Sequence, residues 1–166
     1  MNMNPEYDPE FKVPIKVYIL YFAFLIAPIF YLYMAYLVSR GSSPVENGGN
    51  ETIQMIFPVI SFAAALGGII YRRLFMRRFP IILSKDTFDE DFRKNIISPI
   101  IIYLAFFESI SIYGLVSFLM GGAYLYLIIY ALVSMSLMIL HFPNRQLILE
   151  MYEQQKGLGE QGKIYE

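Results

Sequence analysis

Residues 98–120 read SPIIIYLAFFESISIYGLVSFLM, an apolar run that contains a single charged side chain, Glu108. As a helix rising 1.5 Å per residue, this run is about 35 Å long, which exceeds the roughly 30 Å hydrocarbon core of a bilayer. Backbone N–H and C=O groups find no water in that core, so a spanning segment must bond them within itself. The run therefore predicts a transmembrane helix.

Three further runs have the same character, at about residues 13–38, 53–71 and 123–140. Hydrophobic residues make up 57% of the chain and charged residues only 16%, against about a quarter in ordinary soluble domains. The predicted fold class is all-α: a polytopic membrane protein with a four-helix transmembrane bundle of antiparallel helices in residues 1–143. Residues 144–166 are predicted to form a cytoplasmic amphipathic helix, over 145–155, and a disordered tail.

Short signals mark the ends and irregularities of these helices. Ser98-Pro99 predicts an N-cap followed by proline at the first helical position. Gly121-Gly122 predicts a tight hairpin between the third and fourth spans, and Pro28 predicts a kink in the first. Residues 87–90, Thr-Phe-Asp-Glu, predict a capping box that opens a short surface helix. Residues 41–50 are expected to form a short outer loop.

The basic residues predict the orientation of the chain. The loop between spans two and three holds a basic cluster: Arg72, Arg73, Arg77, Arg78, Lys85, Arg93 and Lys94. The segment 39–52 holds only Arg40, whereas further basic residues precede span one and follow span four. Both termini are therefore predicted to be cytoplasmic, and the expected location is the cell (inner) membrane.

Tyrosines also follow the ends of the predicted spans. Those of the first span are expected to form headgroup-level belts, because the tyrosine ring is amphipathic: Tyr18, Tyr21, Tyr31, Tyr33 and Tyr36.

Several function classes are disfavoured by what the sequence lacks. There is no cysteine and only one histidine, His141, so thiolate metal sites and bis-histidine haem sites cannot form. The net charge of -1 does not suggest nucleic-acid binding. No nucleophile–base constellation or phosphate-binding glycine loop is present. We expect no cofactor, no metal and no enzymatic activity.

Glu108 is the residue that suggests chemistry, because no other ionisable carboxyl, amine or guanidinium lies deep in a span. Such a charge at the bilayer centre costs about 2.5–3.5 kcal/mol on insertion scales and is a functional candidate by default. Desolvation favours the neutral, protonated form of a carboxyl. A group that is protonated in an apolar site and ionised when water or a cation approaches can carry a proton.

A structural role is an equally open alternative. A protonated Glu108 could bond a neighbouring helix, with Ser61, Ser134 and Ser136 as possible partners. If an ion is bound, the proton is favoured over sodium, because sodium needs several oxygen ligands and only Ser109, Ser111 and Ser61 are candidates.

The segment Phe107-Glu-Ser-Ile-Ser-Ile-Tyr-Gly-Leu-Val116 resembles the carboxylate-bearing helix of the proteolipid (c) subunit of rotary F- and V-type ATPases. The resemblance implies that Glu108 is a proton- or sodium-binding carboxylate and that Tyr113 of the family pattern belongs to the same ion site, with Gly114 following it. Spans two and three would form the family's helical hairpin. The segment is also similar to stand-alone bacterial proteolipid-like membrane proteins.

The family's glycine stripe would correspond to residues 61–68, which offer small-xxx-small spacing. The packing residues implied are Ala63, Ala64, Gly67, Gly68 and Gly114. The loop 72–95 is longer than the family's tight turn, spans one and four lack a proteolipid pattern, and one carboxylate serves four helices. The resemblance covers less than a third of the chain.

Two functions are therefore expected. The first is a proteolipid-like subunit that carries protons through Glu108 in an oligomer or larger complex. The second is a non-catalytic accessory or scaffolding subunit in which Glu108 holds helices together. Expected partners are the bilayer, other membrane subunits or copies of the chain, and anionic headgroups. The headgroup contacts would come from Arg72, Arg73, Arg77 and Arg78. The positive-inside bias alone predicts these arginines, so the interpretation that they only set topology is favoured.

Overall fold

The computed structural model describes residues 13–41, 51–75 and 88–160, which contain six α-helices and no strand. The helices are α1 Ile15–Gly41, α2 Glu51–Ile70, α3 Phe88–Asn95, α4 Ile97–Leu119, α5 Tyr124–Leu140 and α6 Arg145–Glu160. A π-helical turn, Tyr71–Phe75, continues α2. The all-α prediction is confirmed. The outer loop at 42–50 and the capping residue Thr87 lie outside the described residues.

The helices make this a membrane-embedded protein. Three are long and apolar enough to cross a bilayer: Ile15–Arg40, Met55–Leu74 and Phe92–Leu119. The fourth predicted span is α5, which has 17 residues. Helix α5 is a candidate span only when it is joined to α6, because the two helices together are long and apolar enough to cross a bilayer. They are bent by 59° relative to each other. The described residues therefore contain three candidate spans, and a fourth if α5 and α6 count as one broken span.

Helix α4 is the centre of the fold, because α1, α2 and α5 each pack along it. In the spanning window of α4, 44% of the residues are buried, against 17% in the windows of α1 and α2. The ring contacts Phe57–Tyr113 and Tyr71–Phe106 pair rising with falling residue numbers, so α2 is antiparallel to α4. The contacts of Gly114 with Tyr130 and of Phe107 with Ser134 show the same for α5. The hydrogen bonds from Tyr21 to the Met138 carbonyl and from Tyr124 to the Leu32 carbonyl make α1 antiparallel to α5, so α1 is parallel to α4. Among the described residues, α1 and α2 do not pack along each other.

Helix α4 begins earlier than Ser98-Pro99 predicts. Its N-cap position is Ile96, which has helical φ and ψ of -59° and -22° and makes no side-chain cap. The Ile96 N–H already donates to the Phe92 carbonyl at 2.9 Å, because α3 runs into α4 with one intervening residue. The N-cap prediction for Ser98 is therefore wrong: no free helix start exists there for it to cap.

The hairpin predicted at Gly121-Gly122 is confirmed. Gly121 adopts φ 91°, a left-handed conformation that costs other residues about 1–2 kcal/mol. Its N–H donates to the Phe118 carbonyl at 3.0 Å, and the Gly122 N–H donates to the Ser117 carbonyl at 2.9 Å. These two bonds form a Schellman motif, which satisfies the last carbonyls of α4 and turns the chain into α5.

We call the end of the bundle where α2 and α5 finish and α4 begins the basic end. There the buried face of α6, including Ile148 and Met151, joins an apolar cluster with Phe92 and Ile100. Asn144 caps α6: its Oδ1 accepts the Leu147 N–H at 2.9 Å. The helix extends to Glu160, five residues beyond its predicted end at 155, so residues 157–160 are helical where a tail was expected.

Candidate functional site

Glu108 is the twelfth of the 23 residues of α4 and therefore lies at the middle of that helix. Its Oε1 accepts a hydrogen bond from the Tyr31 hydroxyl of α1 at 2.7 Å. Tyr31 lies three residues past the midpoint of α1, but side chains lean toward the N-terminus of their helix, which brings the hydroxyl back toward mid-helix. The pair joins two parallel helices near their middle.

The carboxyl is half-buried and lies on an outward-facing stripe of α4. Ala105 and Ile112, about one helical turn before and after it, are both exposed. Because α1 and α2 do not pack along each other in the described residues, this stripe is open to the membrane. Among the described residues, no cation and no second hydrogen-bond donor contacts the Glu108 carboxyl.

The serines that the sequence suggested as ion ligands, Ser109 and Ser111, and as a hydrogen-bond partner of Glu108, Ser134, all bond elsewhere. The Ser109 hydroxyl donates to the Phe106 carbonyl, and that of Ser111 donates to the Glu108 backbone carbonyl, each at 2.8 Å. The Ser134 hydroxyl donates to the Phe107 carbonyl at 2.7 Å. The three serine hydroxyls therefore donate to backbone carbonyls, and none of them donates to the Glu108 carboxyl.

The remaining suggested ligands also lie apart from the carboxyl. Ser61 is buried on α2 and faces the Tyr130 hydroxyl of α5. The Tyr113 ring stacks on Phe57 of α2, with ring centroids 6.2 Å apart. Neither side chain bonds Glu108. In the described part of the chain, no three histidine, aspartate or glutamate side chains come together as a metal site.

Tyr31 is the functional candidate that sequence reasoning missed. We expected it in a headgroup belt near the end of the first span, whereas it lies near the middle of α1 and bonds Glu108. Two other tyrosines make similar links between helices: Tyr21 donates to the Met138 carbonyl and Tyr124 to the Leu32 carbonyl, both at 3.3 Å. The sequence did contain one signal, which is the position of Tyr31 within the apolar run. It lies too far from the end of the run for its hydroxyl to reach a headgroup.

The small residues divide between two helix interfaces. Ala64 and Gly68 are buried on α2, and a Cβ on Gly68 would stand 2.6 Å from Cε1 of Phe107 on α4. Gly114 of α4 packs instead against α5, where its Cβ would stand 2.6 Å from that of Tyr130.

The second small-residue pair on α2 lies nearer the outside of the bundle. Ala63 is exposed, and Gly67 borders the partly exposed ring of Phe106. Of the two pairs with small-xxx-small spacing, only Ala64 with Gly68 faces the centre of the fold.

The predicted basic residues are partly described. Arg72 and Arg73 lie on the π-helical turn and line a cavity at the basic end together with His141. Arg77 and Arg78 lie outside the described residues. His141 donates from Nδ1 to the Leu137 carbonyl at 2.9 Å, since a carbonyl can only accept, and its ring lies 5.1 Å from that of Phe107.

In comparisons with known proteins, no family model, no curated protein and no solved structure matches this chain. The fold and the carboxyl site are therefore interpreted from their own geometry.

Proposed function

We propose that this protein is a membrane subunit that carries protons through Glu108, in an oligomer or a larger membrane complex. The observation that supports this most is a half-buried carboxyl in the middle of the central helix whose described partner is the neutral phenol of Tyr31. Placing an ionisable group there costs free energy, and residues of this kind are functional candidates by default. The likeness of residues 107–116 to a proteolipid helix points the same way.

The Glu108–Tyr31 pair suits two protonation states. In the proposed cycle, the carboxyl holds its proton while the outward stripe is covered by lipid. When water or a partner's basic group reaches the stripe, the proton leaves to that acceptor, and the Tyr31 hydroxyl stabilises the carboxylate through a charge-assisted hydrogen bond. Tyr31 thus lowers the cost of ionisation without supplying a counter-charge.

The proposed setting is a four-span bundle in the cell (inner) membrane, with the basic end and both termini in the cytoplasm. Support comes from Arg72, Arg73 and Arg145 at the basic end, against Arg40 at the other. The positive-inside rule places such a surplus in the cytoplasm.

Two measurements test the proton-carrier proposal. In detergent, carbodiimide labelling of Glu108 should fall as pH rises, because the reagent modifies protonated carboxyls. Glu153 on α6 is exposed, so Glu153→Gln should leave that labelling unchanged. In proteoliposomes made with whatever complex co-purifies, Glu108→Gln should abolish proton flux and Glu108→Asp should retain part of it. Unlabelled Glu108 together with full flux in Glu108→Gln would rule out the carrier.

A second candidate function is that of an accessory subunit in which Glu108 is purely structural. The bond from Tyr31 favours it, because this bond joins α1 to α4 and interhelical hydrogen bonds hold membrane helices together. Under this alternative, Glu108→Gln lowers the amount of the chain recovered with its complex and leaves proton flux per assembled complex unaltered. Under the carrier proposal, the same variant assembles and flux is lost.

A further inference from the structure

A cavity of about 500 Å³ lies at the basic end, between the π-helical turn after α2 and the junction of α5 with α6. Its polar lining is Arg72, Arg73, His141, Asn144, Gln146 and Glu150. Glu108 does not line it, so the cavity is separate from the carboxyl site. Two arginines set on a π-helical turn are notable, since such irregular turns occur frequently at functional sites.

Neither Arg72 nor Arg73 forms an ion pair within the part of the chain described by the structure. Arg72 is half-buried, and its Nε is a buried donor with no hydrogen-bond partner. A buried donor left unpaired costs about 1–3 kcal/mol, more for a charged group. A ligand that accepts hydrogen bonds in this cavity would recover that free energy.

Further donors lie on the opposite side of the cavity. The Oδ1 atom of Asn144 is already used to cap α6, so its amide nitrogen is the group left to donate. The first turn of α6, at Gln146, carries the partial positive charge of a helix N-terminus, which favours anions. Glu150 is the one acidic side chain of the lining, so with the two arginines the formal charge of the cavity stays positive.

We propose that this cavity binds a phosphoryl group. Guanidinium groups match phosphate oxygens through paired N–H donors, and the amide of Asn144 adds a neutral donor. The cavity is larger than one phosphate requires, and Ile69 and Leu147 add apolar side chains to its lining. A phosphate carried on a membrane lipid, or on a soluble compound, could therefore place its remaining atoms against an apolar surface.

The test uses the full-length purified protein in a nonionic detergent and three probes: dihexanoyl phosphatidic acid, dihexanoyl phosphatidylcholine and inorganic phosphate. Thermal unfolding and titration calorimetry are measured with each. Arg72→Gln and Arg73→Gln are compared with Arg93→Gln, which removes an exposed arginine of α3 at the same end but outside the cavity. Losing one charge-assisted contact should weaken Kd by about tenfold or more.

Binding of phosphatidic acid but not of inorganic phosphate, weakened in both cavity variants and retained in Arg93→Gln, supports the site and identifies a lipid headgroup as its ligand. Binding of inorganic phosphate with the same dependence supports the site and identifies a soluble phosphate compound. If Arg72→Gln does not fold, the exposed Arg73 provides the comparison alone. The proposal is overturned if neither phosphatidic acid nor inorganic phosphate binds, if phosphatidylcholine, whose phosphate charge is balanced by its choline group, binds as well as phosphatidic acid, or if Arg93→Gln loses as much affinity as Arg73→Gln.

Discussion

Adding one methyl group to neighbouring glycines of α2 should have opposite consequences. In Gly68→Ala, the new Cβ would stand 2.6 Å from Cε1 and 3.0 Å from Cδ1 of Phe107. The Phe107 ring is fully buried, so it cannot rotate outward to the surface. In Gly67→Ala, the nearest atom is Cε1 of Phe106 at 3.1 Å, and that ring is 38% exposed and can rotate outward.

The expected difference in the free energy of unfolding comes from a gain that both variants share and a cost that falls mainly on Gly68→Ala. Both gain up to about 1 kcal/mol of helix propensity when alanine replaces glycine. Overpacking a tight interior costs about 1–3 kcal/mol, and only Gly68→Ala incurs that cost in full. Gly68→Ala should therefore be less stable than Gly67→Ala by about 1–3 kcal/mol, or about five- to 150-fold in the unfolding equilibrium.

The assay is unfolding of the protein in dodecylmaltoside micelles by added sodium dodecyl sulfate, followed by far-ultraviolet circular dichroism. A double-mutant cycle with Phe107→Leu identifies the clash, because shrinking that ring should relieve part of the cost in the Gly68→Ala background. The expected coupling energy is at least about 1 kcal/mol. Equal stability of the two glycine variants, or coupling of only a few tenths of a kcal/mol, would refute the close approach of α2 to α4.

Three further changes test other contacts by the same unfolding measurement. Tyr31→Phe removes the hydroxyl that bonds Glu108 and should lower the free energy of unfolding by about 0.6–1.7 kcal/mol. Tyr33→Phe, on the exposed side of α1, should lower it hardly at all, and equal losses would contradict the bond. Gly121→Ala should cost about 1–2 kcal/mol because its φ is 91°, and a neutral result would argue against the left-handed turn. Asn144→Ala should cost about 1 kcal/mol through loss of the α6 cap, while Asn144→Asp should restore the stability; failure of aspartate to do so would show that the cap is unimportant.

Long apolar runs made the membrane character and the helix positions predictable. The third span was expected at 98–120 and α4 is Ile97–Leu119, because a run of that length has few alternatives in a bilayer. The turn at Gly121 was equally readable from local chemistry. Capping at Ser98 failed because the signal is local, while the preceding residues were already helical and supplied the bonds that a cap would have made.

The partners of the candidate sites could not be predicted from the sequence, because they depend on which faces of apolar helices meet. Helix α1 is apolar all round, so no stripe in its sequence marks Tyr31 as facing Glu108. Arg72 and His141 both line the cavity at the basic end, although they lie far apart in the chain. They meet there because α2 and α5 both run antiparallel to α4.

The central position of α4 has a consequence for the order in which the protein can assemble. Helices α1 and α2 are synthesised first, yet in the described residues each packs along α4 rather than along the other. A ribosome-bound chain that has not yet inserted residues 97–119 would hold two hydrophobic helices in the lipid with no lasting interface between them. The contacts that hold α1 and α2 in the bundle can therefore form only after the third span has entered the membrane.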